Sequence, residues 1–239
     1  MRASLQAVLD RLKTLSNPDN VAGMARFGIN PHNTLGISVV TLRQIAKEIG
    51  RDQTLALELW DSNIHEARLL ASFLADPHQM TEALLEDWVK DFDSWDICDQ
   101  VCGLFARTPY AHAKAHAWSS RPETFVKRAG FVLMATLAVH DKRAEDERLA
   151  QFLPVIAREA GDERNFVKKA VNWALRQIGK RSLTLNSQAI ETARQIQHLE
   201  SKAARWIAAD ALRELTSAPV QARLLAKASS TAASKQPSK

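Results

Sequence analysis

At 239 residues, with 46% apolar and 25% charged side chains, the chain can bury a sizeable core, which excludes a disordered polymer. It has no run of about 18 apolar residues, so a membrane-spanning helix is excluded as well. The formal charge of +5 and the pI of about 9.4 invite an anionic partner.

That charge is unevenly placed. Three of the five positive charges are Lys227, Lys235 and Lys239, in a terminal stretch with no acid, so the preceding chain is only mildly basic. Residues 158–181 carry Arg158, Arg164, Lys168, Lys169, Arg176, Lys180 and Arg181 against Glu159, Asp162 and Glu163. Residues 86–99 are the opposite, six carboxylates against Lys90. A polyanion would be drawn to the first region and tolerate the second only where a carboxylate has a task.

Apolar residues recur at helical spacing nearly throughout and no stretch alternates as a strand does, so the prediction is all-α. Helices are predicted over 3–15, 39–50, 53–61, 63–75, 80–90, 94–106, 110–118, 124–140, 146–159, 163–179, 184–198 and 201–215. The opening Met1-Arg-Ala-Ser-Leu-Gln6 starts an amphipathic helix and lacks the apolar centre of a secretory signal. Residues 17–38, with Pro18, Gly23, Gly28, Pro31 and Gly36, read as the longest loop. Asn63-Ile-His-Glu66 is a capping-box pattern, and Pro154 implies a kink or a restart inside 146–159. Cys98 and Cys102 fall one turn apart on one helix, a poor spacing for a disulfide, so reduced thiols in a cytoplasmic protein are expected.

From residue 63 the helices pair off, with first members starting near 63, 94, 124, 163 and 201. A period of roughly 30–40 residues matches a curved solenoid of stacked antiparallel helix pairs, whose first helices line one continuous surface. One helical-repeat domain is expected over 1–216, followed by a basic, low-complexity tail over 217–239 that is expected to be disordered.

Three of these helices carry the candidate chemistry. On 94–106, Ile97, Val101, Leu104 and Phe105 share a core arc, while Asp99 points away from it beside Trp95 and the small Gly103 and Ala106. A large ligand could approach closely there; alternatively Trp95 is a half-buried core ring and Asp99 a solvated charge. On 124–140 the only charges are Lys127 and Arg128, and the guanidinium needs a phosphate, an aromatic face or an acid such as Asp96 or Asp99. On 163–179, Lys169, Trp173, Arg176 and Lys180 follow one stripe. Cations flanking an indole fit a nucleic acid, with a protein-packing Trp as the alternative. His112 and His116 stand at a spacing zinc accepts but lack a third ligand, so no metal is expected.

Asp93-Ser-Trp-Asp-Ile-Cys-Asp99, Phe125-Val-Lys-Arg-Ala129 and Phe166-Val-Lys-Lys-Ala-Val-Asn-Trp-Ala-Leu-Arg176 together resemble the landmark segments of the AlkD-like DNA alkylation repair family, the HEAT-like-repeat DNA glycosylases. Met24-Ala-Arg-Phe-Gly-Ile-Asn30 and Leu35-Gly-Ile37 resemble its N-terminal region, and order and spacing agree over about residues 5–215. The resemblance implies a monofunctional glycosylase that excises N3- or N7-alkylated purines from duplex DNA without a deep base pocket. It implies Trp95, Asp99 and Trp173 at the damaged nucleotide and Arg128 on a neighbouring phosphate. Lys127, Lys168, Lys169, Arg176, Lys180 and Phe27 are the further DNA-binding candidates. Phe27 stands where family members can present a Tyr, so a polar contact near the lesion is missing. No cofactor or metal is needed, the partner is alkylated duplex DNA, and a cytoplasmic, nucleoid-associated monomer is expected. The alternative is a non-catalytic helical-repeat protein that binds duplex or branched nucleic acid.

Overall fold

The computed structural model describes residues 3–234, and every regular element among them is a helix. The chain divides into two compact units, Met1–Tyr110 and Ala111–Lys239. Within each, helices adjacent in sequence pack as pairs, as the 30–40-residue period predicts.

The first unit runs α1 (Leu5–Thr14), α2 (Pro18–Arg26), α3 (Val39–Ile49), α4 (Gln53–Asp61), α5 (His65–Leu74), a 3-10 turn (Pro77–Gln79), α6 (Glu82–Lys90) and α7 (Trp95–Phe105). Ser4, Asn17, Ser38, Asp52 and Thr81 each accept a first-turn backbone N–H and so start five of these helices. Its core is aromatic. Trp60 and Trp88 stack with ring centroids 4.0 Å apart, and Phe92 and Phe105 lie 6.2 Å apart beside them. These rings tie α4 and α6 to the buried side of α7.

Two expectations in this unit are corrected. The stretch 17–38 is not all loop, because Pro18 at the first helical position and the Asn17 side chain, accepting from Asp19 and Asn20, nucleate α2. The capping box at Asn63–Glu66 does not form: Asn63 is left-handed (φ 61°), and Glu66 looks elsewhere. Its buried carboxylate accepts the backbone N–H groups of Leu35 (2.7 Å), Gly36 (2.7 Å) and Ile37 (3.2 Å). Gly36 suits this turn, at φ 80° and so close to the chain that a Cβ would collide with the Asn17 carbonyl oxygen. Next to Glu66, His65 Nε2 meets Asp96 Oδ2 at 2.8 Å, which ties α5 to the first turn of α7.

The second unit comprises α8 (Ala111–Ser119), α9 (Thr124–His140), α10 (Asp146–Ala150), α11 (Phe152–Glu159), α12 (Asn165–Gly179), α13 (Leu183–Gln197), α14 (Lys202–Leu215) and α15 (Ala218–Ser234). As its all-round apolar sequence foretells, α9 is the central helix, buried from Val126 to Ala135 and packed between α8 and α12. Gly130 lets α8 and α9 touch: a Cβ there would lie 2.5 Å from the Ser119 amide nitrogen. The predicted helix 146–159 restarts at Gln151, which leaves Pro154 in the first turn of α11, where its missing N–H breaks no bond. The segment read as a disordered tail is helical over Ala218–Ser234, with Val220 and Leu224 buried; residues 235–239 lie outside the described part. No helix among the described residues is long and apolar enough to cross a membrane.

Glu66→Gln removes a carboxylate from three N–H donors and is expected to cost about 2–3 kcal/mol, read from the urea midpoint. A variant as stable as wild type contradicts that account. For His65, burial alone would lower its pKa, but the hydrogen bond and charge of Asp96 outweigh it and the net direction is up. The pair therefore adds stability below about pH 6.5 that is lost as pH rises through the raised value. The stability gap between wild type and His65→Gln should shrink from pH 6 to pH 8.5, and a gap independent of pH counts against the ion pair.

Candidate nucleic-acid interface

In the first unit the predicted residues Trp95 and Phe27 meet in one small network. Ser94 precedes α7 but does not cap it; its hydroxyl accepts from the Asn30 amide (3.1 Å) and donates to Asp93 (3.0 Å). The Asn30 side chain donates to the other Asp93 oxygen at 2.7 Å. The Trp95 indole N–H then donates to the Phe27 carbonyl oxygen at 3.1 Å. The segment held by Glu66 thus aims the indole, and the backbone of Phe27, not its ring, is what holds it.

Trp95 remains half-buried, and Asp99 stands half-buried one turn further along α7. One turn beyond Asp99, Gly103 is exposed, and a Cβ there would meet nothing within 4 Å. The opposite side of the helix is closed, since Ile97, Val101, Leu104 and Phe105 are buried and Asp96 is taken by His65. A half-buried indole, a half-buried carboxylate and bare backbone therefore share the side of α7 away from its core. The Phe27 ring, 76% exposed, stands at the edge of this surface.

In the second unit the predicted cations fare unequally. Lys127, expected at DNA, lies in a buried ion pair: only 11% of its side chain is exposed, and Nζ lies 2.6 Å from Glu159 and 2.9 Å from Asp162. Burial alone would raise the Asp162 pKa, but Arg164 and Lys127 hold it far below the usual carboxylate range. Arg128 is buried as well, and its Nη1 donates to the Phe166 carbonyl oxygen at 2.6 Å, which fixes the guanidinium plane against the start of α12. Arg176 and Lys180 meet Glu214 on α14 at 2.7 and 2.6 Å, so two cations of the stripe are already matched. Lys169 is exposed and Trp173 half-buried on that face of α12.

Lys168 leads to a residue that sequence reading passed over. Its ammonium lies 5.2 Å from the ring centroid of Trp206, which is 42% exposed on α14. The signal was present: an apolar ring on α14 among Lys202, Arg205 and Arg213 repeats the cation–indole pattern of α12. His112 is committed elsewhere, stacking on Phe152 and meeting Asp141 at 3.3 Å.

Replacing Lys127 by Met leaves Glu159 with Arg158 and Asp162 with Arg164 as their remaining cations, and should destabilise the protein by about 1–3 kcal/mol. Because Asp162 and Glu159 are both depressed, their contribution is present above about pH 4 and lost as pH falls through the depressed values. The gap to wild type should narrow between pH 5 and pH 2 in thermal melts, and a stable Lys127→Met that only loses DNA affinity contradicts this assignment.

Comparisons with known proteins bear on the fold and the family. The family model for the DNA alkylation repair enzyme matches residues 8–215. The chain is also similar to a solved structure described as "a new family of proteins related to the HEAT-like repeat DNA glycosylases with affinity for branched DNA structures". Identity is 20%, the TM-score is 0.75, and the match covers 89% of this chain and 96% of that one, which establishes the helical-repeat fold. No curated protein matches. With a family match running through both units and across α7, α9 and α12, the chain belongs to the DNA alkylation repair enzyme family.

Proposed function

We propose that the protein is a monofunctional DNA glycosylase that releases cationic N3- or N7-alkylated purines from duplex DNA. The observation that carries this reading is the outward face of α7, where Trp95 and Asp99 stand one turn apart beside the open Gly103. A purine alkylated at N3 or N7 is positively charged, so it departs without a general acid. The C1′–N bond breaks with its electron pair going to the base, which leaves neutral. Water then adds to C1′ and gives up a proton. The sugar passes through an oxocarbenium-like transition state, which the Asp99 carboxylate stabilises while it positions the water. Trp95 offers an indole face to the cationic base, about 0.5–2 kcal/mol, and Trp173 is the second unit's own candidate for such a contact. None of these steps calls for a cofactor or a metal.

Arg128, held by Phe166, is the guanidinium assigned to a backbone phosphate, and Lys168 and Lys169 add sequence-independent attraction. Arg176 and Lys180 reach DNA only by sharing Glu214, so their part is smaller than their charge implies. The partner is alkylated duplex DNA and the acting species a monomer of the cytoplasm or nucleoid.

A second reading, non-catalytic binding of duplex or branched nucleic acid, is favoured by one observation. The Phe27 ring is exposed beside Trp95 without a hydroxyl, leaving that position unable to hydrogen-bond at a lesion. The solved relative is likewise described by its affinity for branched DNA.

One incubation separates the readings. Duplex containing 7-methylguanine should release free base with wild type, and Asp99→Asn should reduce the rate at least about a hundredfold with duplex affinity kept, given the worth of one preorganised transition-state contact. Lys169→Ala should instead weaken binding and lower the salt slope by about one. Equal release by wild type and Asp99→Asn overturns the carboxylate's role, and duplex binding with no release by wild type selects the second reading.

A further inference from the structure

The last turns of α9 and α12 and the helix α15 line a half-open cavity of about 220 Å³ whose lining holds Lys142, Lys180, Arg181, Arg223 and Lys227, with no carboxylate among the lining residues. These charges come from three separate parts of the second unit and nothing in their sequence spacing announces the cluster. It is held rigidly. Arg181 donates to the carbonyl oxygens of Asp141 (2.8 Å), Ala144 (3.1 Å) and Ala138 (3.2 Å), clasping the end of α9. Lys227 Nζ donates to the Arg181 carbonyl at 2.7 Å, and Gln221 bonds Asn186 at 2.9 Å, so α15 is fastened to α12 and α13.

A plain account would have these cations do no more than cap helix ends. The magnitudes do not close. Two helix C-termini supply roughly half a negative charge each. Glu214 is shared by Lys180 and Arg176, and Asp146, near Lys227, already accepts from Ser182. Lys142, Arg181 and Arg223 therefore keep a surplus beside the Glu214-paired Lys180, and Arg223 stands exposed at the rim. The strain is visible at Lys227, whose ammonium is pushed down by burial and by Arg181, Lys142 and Arg223. A dianion or phosphodiester entering the cavity would relieve that repulsion.

We propose that this cavity is a phosphate-binding site for the backbone of DNA, separate from the Trp95–Asp99 face and built in part by α15. Arg223 and Lys227 lie beyond residues 8–215, so this part of the site is an addition of this chain to the matched family region. The assignment rests on the DNA-binding part of the reading above. A duplex that occupies the cavity gains a backbone contact that carries no sequence information, so the site would set affinity and salt dependence, not lesion choice.

The test is duplex binding as a function of salt, with wild type and the double variant Arg223→Ala/Lys227→Ala. The slope of log Kd against log salt should fall by about one to two, since each phosphate contact contributes about 0.9, and Kd should rise about fivefold or more at physiological salt. Lys142→Ala, on the opposite wall, should lower the slope in the same way, and melting temperatures near wild type show that both variants fold. Inorganic pyrophosphate should raise the wild-type melting temperature and leave that of the double variant unmoved. An unchanged slope in folded variants overturns the proposal while wild-type duplex binding leaves the glycosylase reading standing. A pyrophosphate effect with an unchanged slope also overturns it, and assigns the cavity to a free phosphate compound. Wild type that binds no DNA sinks both.

Discussion

A single buried carboxylate governs how the first unit presents its surface. Glu66 lies on α5 with no solvent exposure, and its negative charge is matched by three backbone N–H groups of residues 35–37. Removing such a charge from water is affordable only where donors surround it, and an oriented row of peptide N–H groups does that without a cation. The consequence runs outward. With residues 35–37 fixed, the segment behind α2 brings Asn30 to Asp93 and Ser94, and the Phe27 carbonyl to the Trp95 indole. The neighbouring His65–Asp96 pair pins the same turn of α7 from the inside. Trp95 is thus held from two directions while its ring keeps contact with solvent.

Position, not residue type, sorts the tryptophans. Trp60, Trp88 and Trp118 are buried and bind helices together, the first two face to face. Trp95, Trp173 and Trp206 keep part of their rings at the surface, each with a polar or charged neighbour on its own helix or the next. A half-exposed indole whose N–H is already satisfied offers a π face without an unmet hydrogen bond, which suits a cationic or stacked ligand. The cations divide in the same manner. Lys127 is consumed by Glu159 and Asp162, Arg176 and Lys180 are matched by α14, and a further group of cations gathers around Arg181 and α15.

Much of this was legible in the sequence, for a physical reason. Helical periodicity depends on a residue's immediate neighbours along the chain, so α4 and α9 carry the boundaries read from pattern alone and most others differ by a few residues, while 146–159 is split in two and α2 and α15 escaped the pattern. The same local rule placed Trp95, Asp99 and Gly103 on the side of α7 away from the core, and the ordered landmark segments pointed to the alkylation-repair family that the chain belongs to. What only the tertiary structure decided was who partners whom. Glu66 reads as a capping residue from its spacing, yet its partners are thirty residues away; Lys127 reads as a DNA contact, yet Glu159 and Asp162 arrive from the end of α11 to neutralise it. The helix α15 reads as a tail because its apolar residues are sparse, and it is ordered by Val220 and Leu224 and by the grip of Gln221 and Lys227 on the neighbouring helices. Charge pairing and docking act across space between segments distant in sequence, and no window along the chain contains both members.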